Sequence, residues 1–360
     1  MTFYHSKYGV SRKKKSPYKR IIFWIVLFLI ITVCTLGYLF YQAVYKVNVW
    51  TPEGKDMSIY IPTSSNFADV QRILYEKGLI IHRNNFVWWA ETKNYPDLIK
   101  PGRYIIRNGM NNDQLIGLLR SGNQVPVKVT FNNIRDVYQL AGKVGKQIEA
   151  DSVTLVNKMR DQATLQSMDL NDSTSSVIYI PDTYELYWNT TADGFVSRMY
   201  EEYQRYWNSE RKAKATEMGM TIPEIVTIAS IVQKETNKND EKQLIAGVYI
   251  NRLEKGWRLQ ADPTLIYAIG DFTIKRVLTV HLDYDSPYNT YKYGGLPPGP
   301  ICIPSKSSID AVLDYKNEGY LYFCAKDDLS GYHAFAKTNR QHNRNAKKYQ
   351  AALDKMRIYK

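Results

Sequence analysis

The most prominent pattern in the chain is an uncharged, apolar run from residue 21 to residue 45, IIFWIVLFLIITVCTLGYLFYQAVY. It exceeds the roughly 20 residues that a helix needs to cross a bilayer core. The run is also longer than the apolar core of a signal peptide, about 7–15 residues, and no cleavage site of small residues follows it. We therefore predict an uncleaved, single transmembrane helix over 21–45.

Alternating and helical patterns follow each other in the next segment. The stretch 57–62 alternates like a strand. Ser64, Ser65 and Asn66 offer helix caps before Phe67, Val70, Ile73 and Leu74, which lie at helical spacing. A second short helix is predicted over 84–93, a strand over 102–106, and a third helix from Asn112 to a stop at Gly122. These elements predict a small α+β unit over 46–125.

Helical periodicity dominates the remainder of the chain. The segment VPVKVTF at 125–131 starts this second region, and apolar residues recur at helical spacing around 137–144, 195–206, 225–232 and 244–253. Short strand-like pieces occur at 177–181, 321–325 and 333–337, and the last two are predicted to form a hairpin. We expect a larger, mostly helical α+β domain over 126–360.

The positive charge of the chain is unevenly distributed. The 360 residues carry a formal net charge of +13, of which +7 lies in residues 1–20, where there is no acidic residue. By the positive-inside bias this tail should be cytoplasmic and the rest of the chain should lie outside. The remaining mild excess suits a polyanionic partner such as a cell-wall polymer, and it argues against a nucleic-acid binder.

Metal and cofactor chemistry find little support in the sequence. Three scattered cysteines cannot form a disulfide framework or a sulfur-rich zinc site. The histidines His281, His333 and His342 show no ligand spacing, and the common zinc-protease, serine-hydrolase and nucleotide-binding motifs are absent from the sequence. We predict neither a metal nor a cofactor.

The acidic residue with the most informative position is Glu235. It follows Ile228, Ile231 and Val232 by seven, four and three residues, which places it on the apolar face of a predicted helix. Removal from water disfavours the charged form and raises the pKa, as a general acid requires. The alternative is a structural carboxylate that is paired with a Lys or Arg, or that reaches water near the helix end.

Residues 246–270 contain further polar positions. Asp262 followed by Pro263 has the pattern of an N-cap and first helical residue, with Gly270 ending that helix. Asn251 and Arg252 lie near the end of the preceding helix, where an arginine often complements the helix dipole. No structural role is evident for Gln260.

Glycine and proline are concentrated in the stretch 286–304, which predicts a rigid, ordered loop. Tyr288, Asn289 and Tyr291 in this loop offer stacking faces and amide groups that suit a sugar groove. The alternative is an ordinary surface turn.

Several segments together resemble the YceG-like endolytic murein transglycosylase family. They are PDTYE at 181–185, IASIVQKET at 228–236, YINRL at 249–253, RLQADPTLIYAIG at 258–270, PYNTYKYGGLPPGPI at 287–301 and YLYF…HAF…HN at 320–343. The chain departs from the family pattern at Gln233, where many relatives have Glu, and at Ser176-Val177, where a Glu-Gly pair is common. The resemblance implies a LysM-like unit over 46–125 and a YceG-like catalytic domain over 126–360.

The same resemblance implies an activity and a set of site residues. The activity is cleavage of the β-1,4 bond between N-acetylmuramic acid and N-acetylglucosamine in nascent peptidoglycan, which would end strand elongation beside peptidoglycan synthases at the bacterial cytoplasmic membrane. Glu235 would protonate the glycosidic oxygen and then, as a carboxylate, deprotonate the sugar's 6-hydroxyl, leaving a 1,6-anhydro end. The substrate-binding residues implied are Asn251, Arg252, Gln260, Asp262, Tyr288, Asn289, Tyr291 and His333.

Two other classes of function remain open on the sequence. A lysozyme-like hydrolase needs a second carboxylate facing Glu235, and Glu185, Asp262 and Asp283 are the available acids. A non-catalytic scaffold of the wall-synthesis machinery would also account for the anchor and the mild basicity, but it gives no reason for an acid on an apolar helix face.

Overall fold

The computed structural model describes residues 17–356, and the chain divides into two compact units, Met1–Val125 and Pro126–Lys360. Of the predicted basic tail over 1–20, residues 1–16 lie outside the described part of the chain. The architecture is mixed α+β with a mostly helical second unit, as predicted.

The N-terminal helix α1 (Pro17–Val44) covers the predicted transmembrane segment over 21–45 except for its last residue. Its 28 residues extend about 42 Å at the standard helical rise, enough for a hydrocarbon core of about 30 Å. The hydroxyls of Thr32 and Thr35 donate to the carbonyls of Phe28 and Ile31 at 2.8 Å, so these polar groups are satisfied within the helix. Among the described residues, α1 is the one unbroken helix that is long and apolar enough to cross a membrane, which fits a single-pass membrane protein.

The first unit has a two-stranded sheet covered by helices. Strands β1 (Met57–Ile61) and β2 (Gly102–Ile106) pair antiparallel, with Met57 opposite Ile106. The helices are α2 (Phe67–Glu76), α3 (Arg83–Thr92) and α4 (Asn112–Ser121). Capping boxes built on Asn66 and Asn111 fix the starts of α2 and α4. The strands and helices predicted in this region are therefore confirmed.

The end of α1 is part of the first unit's core. Val44 is fully buried in that core, and the amide of Asn112 donates to the carbonyl of Ala43 at 2.7 Å. Asn112 in turn accepts a hydrogen bond of 2.8 Å from Asn48. The end of α1 is thus hydrogen-bonded directly to the rest of the first unit.

The second unit surrounds a large apolar core with eleven described helices and two small sheets. Its strands are β3 (Val127–Phe131), β4 (Asp182–Leu186), β5 (Tyr322–Ala325) and β6 (His333–Ala336). Its helices are α5 (Val137–Val144), α6 (Ser152–Met159), α7 (Gln162–Gln166), α8 (Ala192–Tyr206), α9 (Ser209–Glu217), α10 (Ile222–Glu235), α11 (Lys242–Glu254), α12 (Asp262–Ile269), α13 (Thr279–Leu282), α14 (Lys306–Leu313) and α15 (Asn339–Lys355).

One predicted strand of this unit is wrong. Residues 177–181 do not form a strand, because a 3-10 helix occupies Asp172–Ile178 and the strand that pairs with β3 begins only at Asp182. The side chain of Asn171 accepts from the Thr174 backbone and caps the 3-10 helix. Residues 177–180 are all buried, so their apolar character reflects burial on every side rather than the alternation of a strand.

Helix α10 is the central element of the second unit. Thr221 and Glu224 form a capping box at its start, and every residue from Ile225 to Val232 is buried. Helices α11 and α14 pack against it. The helix ends at Glu235, so the last turn carries this carboxyl out of the core.

The predicted hairpin near the C-terminus is confirmed. Strands β5 and β6 pair antiparallel, with Tyr322 opposite Ala336 and Ala325 opposite His333. Helix α15 packs on the hairpin, and β5 contacts α11. The hairpin therefore lies against the helix that follows α10 in the chain.

Candidate active site

Glu235 is half-buried at the C-terminal end of α10, and its hydrogen-bond partner is a tyrosine rather than a lysine or arginine. Burial, the largest influence, raises the pKa of Glu235 to about 7. The hydroxyl of Tyr249 donates to Oε1 at 2.5 Å and opposes this rise, as does the positive charge of Arg252. The negative charge of Asp262 raises the pKa of Glu235 further. The carboxyl is therefore poised between its two protonation states near neutral pH.

Tyr249 is the hydrogen-bond partner of Glu235 and was not among the site residues predicted from the sequence. It lies on α11, is almost fully buried, and meets the ring of Phe323 edge-on at 6.0 Å. Burial and the adjacent Glu235 raise the pKa of Tyr249 well above its usual value, so the hydroxyl keeps its proton and acts as a donor. A signal was available, because a tyrosine in the apolar run 245–250 must find a hydrogen-bond partner for its hydroxyl.

Asp262 and Tyr291 form a second acid–phenol pair beside Glu235. Asp262 is the first residue of α12 and Ala261 precedes it as the N-cap, so the predicted capping role of Asp262 is wrong. Its carboxylate instead accepts a hydrogen bond from the hydroxyl of Tyr291. Burial, followed by this bond, raises the pKa of Tyr291, which therefore also remains a phenol.

Arg252 and Asn251 are buried and bind backbone carbonyls. The guanidinium of Arg252 donates to the carbonyl of Leu321 at 2.8 Å and to that of Leu259. The amide of Asn251 donates to the carbonyl of Tyr320 at 3.0 Å. Both side chains thus connect α11 to the residues just before β5. Arg252 also connects α11 to the segment before α12 and contributes positive charge near Glu235.

The loop over 286–304 is held in place by polar contacts. Its Thr290 carbonyl accepts from the backbone of Gln260 at 3.1 Å, and the Thr290 hydroxyl bonds to that of Thr264 at 2.8 Å. Gln260 has a left-handed backbone, with a φ of 50°, and an exposed side chain. These bonds place Tyr291 opposite Asp262.

Asn289 shapes this loop from within. It is fully buried, and its amide donates to the carbonyls of Leu282 and Tyr284 at 2.9 and 2.8 Å. Its side-chain oxygen accepts from the backbone of Tyr291 at 3.0 Å. The amide of Asn289 therefore fixes the conformation of the loop.

Tyr288 and His333 lie in the surroundings of the Glu235 site. Tyr288 packs on Tyr267 with ring centroids 4.9 Å apart and lines a separate cavity. The ring of His333 meets Glu241 at 3.1 Å and the edge of Phe323 at 5.3 Å. Phe323 in turn contacts Tyr249, the hydrogen-bond partner of Glu235.

The other acids considered from the sequence are placed differently. Glu185 is exposed on β4 opposite Lys128, and Asp283 is exposed at the end of α13. Among the three acids considered for a hydrolase, Asp262 is the one whose charge acts on Glu235. Gln233 accepts hydrogen bonds from the hydroxyls of Ser305 and Ser308, which tie α10 to the start of α14.

The chain is similar to proteins of known family over most of its length. Two relatives from Streptococcus pneumoniae, each named endolytic murein transglycosylase, are 30% identical over 346 residues, covering 86% of this chain and 61% of theirs. The chain thus spans about three fifths of the length of these relatives. A relative of the same name from Bacillus subtilis is 29% identical over 325 residues, covering 85% of this chain and 89% of its own.

A solved structure and a family match agree with these relatives. The crystal structure of a YceG-like protein from Listeria monocytogenes superimposes with a TM-score of 0.54 at 29% identity, covering 80% of this chain and 98% of the other. Residues 59–348 match the YceG-like family. The chain belongs to the YceG-like family.

Proposed function

We propose that this protein is an endolytic peptidoglycan lytic transglycosylase that cleaves the bond between N-acetylmuramic acid and N-acetylglucosamine. The observation that carries the proposal is the half-buried carboxyl of Glu235 at the end of α10, which accepts a hydrogen bond from Tyr249 and whose pKa is raised to about 7 by burial. A general acid works best when its pKa lies near the operating pH. The names of the relatives support the same activity.

The reaction needs one carboxyl group and consumes no water. Protonated Glu235 donates its proton to the glycosidic oxygen as the bond from this oxygen to C1 of the muramic residue breaks. The carboxylate then takes the proton of the sugar's own 6-hydroxyl while O6 bonds to C1, which regenerates the acid and leaves a 1,6-anhydro end. Because the nucleophile belongs to the same sugar, it needs no separate binding step.

The neighbours of Glu235 assist both states of the carboxyl. The hydrogen bond from Tyr249 holds the group in position and stabilises the carboxylate between the two proton transfers. The negative charge of Asp262 favours the protonated starting state and stabilises the positive charge that develops at C1. Tyr291 orients that carboxylate through its hydroxyl.

The chemical end of the product tests the proposal. Purified glycan strands digested by the protein should yield 1,6-anhydro-N-acetylmuramic ends, lighter by one water than reducing ends and inert to borohydride. Glu235→Gln should lower the rate on the order of 10²–10⁴-fold, since the amide cannot transfer a proton. Glu254→Gln, an exposed acid at the end of α11, is the matched control.

A reducible muramic end as the main product would instead identify a lysozyme-like hydrolase. The position of Asp262 favours this second candidate, because its carboxylate acts on Glu235 and a hydrolase requires two acids. Asp262→Asn would then remove as much activity as Glu235→Gln.

We extend the proposal to the organisation of the chain. The basic tail over 1–20 lies in the bacterial cytoplasm, α1 crosses the membrane, and residues 126–360 act as the catalytic domain on the outer side. The small unit over 46–125 is LysM-like and binds glycan without cutting it. It has its own core, which supports an independent role. Cleavage close to the membrane would end the elongation of strands beside the peptidoglycan synthases.

A further inference from the structure

A groove of about 470 Å³ lies between the last turns of α1 and the helix α3 of the first unit. Leu36, Leu39 and Phe40 line it from α1, and Asn85 and Trp88 line it from α3. The described residues that line this groove carry no charge. The cleavage reaction proposed above uses none of its groups.

Core contacts hold the two walls of the groove together. Val44 at the end of α1 is buried in the core of the first unit, and the amide of Asn112 donates to the carbonyl of Ala43 at 2.7 Å. The ring of Phe40 meets the rings of Trp88 and Trp89 edge-on, with centroids 6.3 and 5.7 Å apart. Helix α3 therefore stays beside α1 unless the core itself opens.

The contact with Phe40 places Trp88 at the edge of the bilayer. Counted from Ile21, where the uncharged run begins, a hydrocarbon core of about 30 Å takes about 20 residues of helix, and that length ends at Phe40. Tyr41 and Tyr45 follow at the same level, and both are exposed. Tryptophan and tyrosine are enriched at this boundary between hydrocarbon and water.

The two neighbouring tryptophans of α3 have different environments. Trp89 is 7% exposed, and its indole nitrogen donates to the carboxylate of Asp113 at 3.2 Å. Trp88 is 46% exposed, and its indole nitrogen has no hydrogen-bond partner among the described residues. A large ring with a free donor suits the membrane interface, where one side is apolar and the other is wet.

The polarity of the groove changes along α1 as that of a lipid does. Leu36 and Leu39 form the wall nearer the centre of the predicted membrane segment, and Gln42 lines it six residues after Leu36, a rise of about 9 Å. Leucine side chains suit an acyl chain, and an amide suits the ester groups above it. Because these walls belong to the membrane segment itself, lipid reaches the groove directly.

We propose that this groove binds a phospholipid and that Trp88 inserts beside it into the membrane interface. The inference goes beyond the proposed cleavage activity and rests on the proposed crossing of the membrane by α1. The first unit then has a fixed height and orientation on the bilayer, with α3 as its membrane-facing helix. It does not swing freely at the end of α1.

The depth of single side chains in the bilayer tests the proposal. The full chain is placed in phosphatidylcholine vesicles, and a nitroxide label is attached in turn to Trp88→Cys, to Leu39→Cys as the reference in α1, and to Ala68→Cys as the matched control. Ala68 is exposed on α2, which packs against β1. Electron paramagnetic resonance then measures how accessible each label is to oxygen, which concentrates in hydrocarbon, and to a water-soluble nickel chelate.

The ratio of oxygen to nickel accessibility should be severalfold higher at positions 88 and 39 than at position 68. A further label at Asn85→Cys, one turn before Trp88 on the same face of α3, leaves Trp88 in place and should also favour oxygen. Melting curves identify a variant that is unfolded. If Trp88→Cys is unfolded, Asn85→Cys decides.

The labelled chain needs few changes in its own cysteines. Cys34 is exposed and Cys324 is half-buried, so both are replaced by alanine in the parent chain. Cys302 is kept, because it is 2% exposed and burial raises the pKa of its thiol to about 12. Such a thiol does not react with the labelling reagent at neutral pH.

Each other outcome overturns the proposal in a recognisable way. If positions 88 and 85 favour the nickel chelate as position 68 does, α3 lies in water and the groove holds no lipid. Low accessibility to both reagents would show that protein, such as a second copy of this chain, covers the groove instead. If position 39 also favours the chelate, the membrane crossing by α1 fails as well, whereas the cleavage activity is judged separately from the ends of its products.

Discussion

The hydrogen bond between Tyr249 and Glu235 makes the pH dependence of the proposed activity predictable. Only the protonated form of Glu235 can donate to the glycosidic oxygen, so the rate constant kcat/KM should fall as the pH rises through about 7. Tyr249→Phe removes the hydroxyl and keeps the ring. Because the lost bond stabilised the carboxylate, the pKa of Glu235 should rise further. The falling limb of the plot of kcat/KM against pH should therefore move to higher pH.

The size of this shift follows from the strength of the bond. A hydrogen bond to a charged group contributes about 1.5–3 kcal/mol, and one pKa unit corresponds to 1.36 kcal/mol, so the limb should move up by about 1–2 pH units. Asp262→Asn should move it in the opposite direction, since the negative charge of Asp262 raises the pKa of Glu235. This second shift should be smaller, because the bond from Tyr249 is the stronger influence.

The assay is the initial rate of release of soluble fragments from purified glycan strands between pH 5 and pH 9 at constant ionic strength. Circular dichroism at each pH establishes that the protein stays folded. The midpoint of the limb is compared rather than the absolute rate, since both variants also disturb the geometry of the site. A rate that increases through pH 7, or two variants that shift the midpoint in the same direction, would refute the assignment of Glu235 as the acid.

Three further predictions concern stability and topology. Between pH 4.5 and 7 the Glu235 carboxyl is more protonated in the folded than in the unfolded chain, so the free energy of unfolding falls as the pH rises. Above pH 7 Glu235→Gln should therefore be more stable than the wild-type chain in urea unfolding by up to about 3 kcal/mol. This difference should disappear towards pH 4.5. Gly247→Ala should cost about 1–3 kcal/mol, because its Cβ would lie 2.2 Å from the Lys316 carbonyl oxygen, whereas Gly142→Ala has open space and should be neutral or slightly stabilising. A reporter that is active only outside the cytoplasm should be active when fused after Lys360, and an inactive fusion would contradict the orientation.

Local sequence patterns determined most of the secondary structure and the choice of Glu235. The spacing of apolar residues defines α10 whatever packs around it, and a residue three and four positions after Val232 and Ile231 must share their face. The capping box at Asn66 and the stop at Gly122 are likewise local, since each bond or backbone angle involves residues only a few positions apart. Such features can be predicted because the chain satisfies them with its own neighbours.

The partners of Glu235 were decided only by the tertiary structure. Tyr249 reaches it from another helix, and Asp262 bonds to Tyr291, 29 residues away, instead of capping its own helix. Asn289 has an amide group of the kind that binds sugars, yet its side chain is buried because the loop carbonyls that it contacts need hydrogen-bond donors. In each case a local pattern permits two uses of a polar group, and the choice depends on which distant groups the fold brings within hydrogen-bond distance.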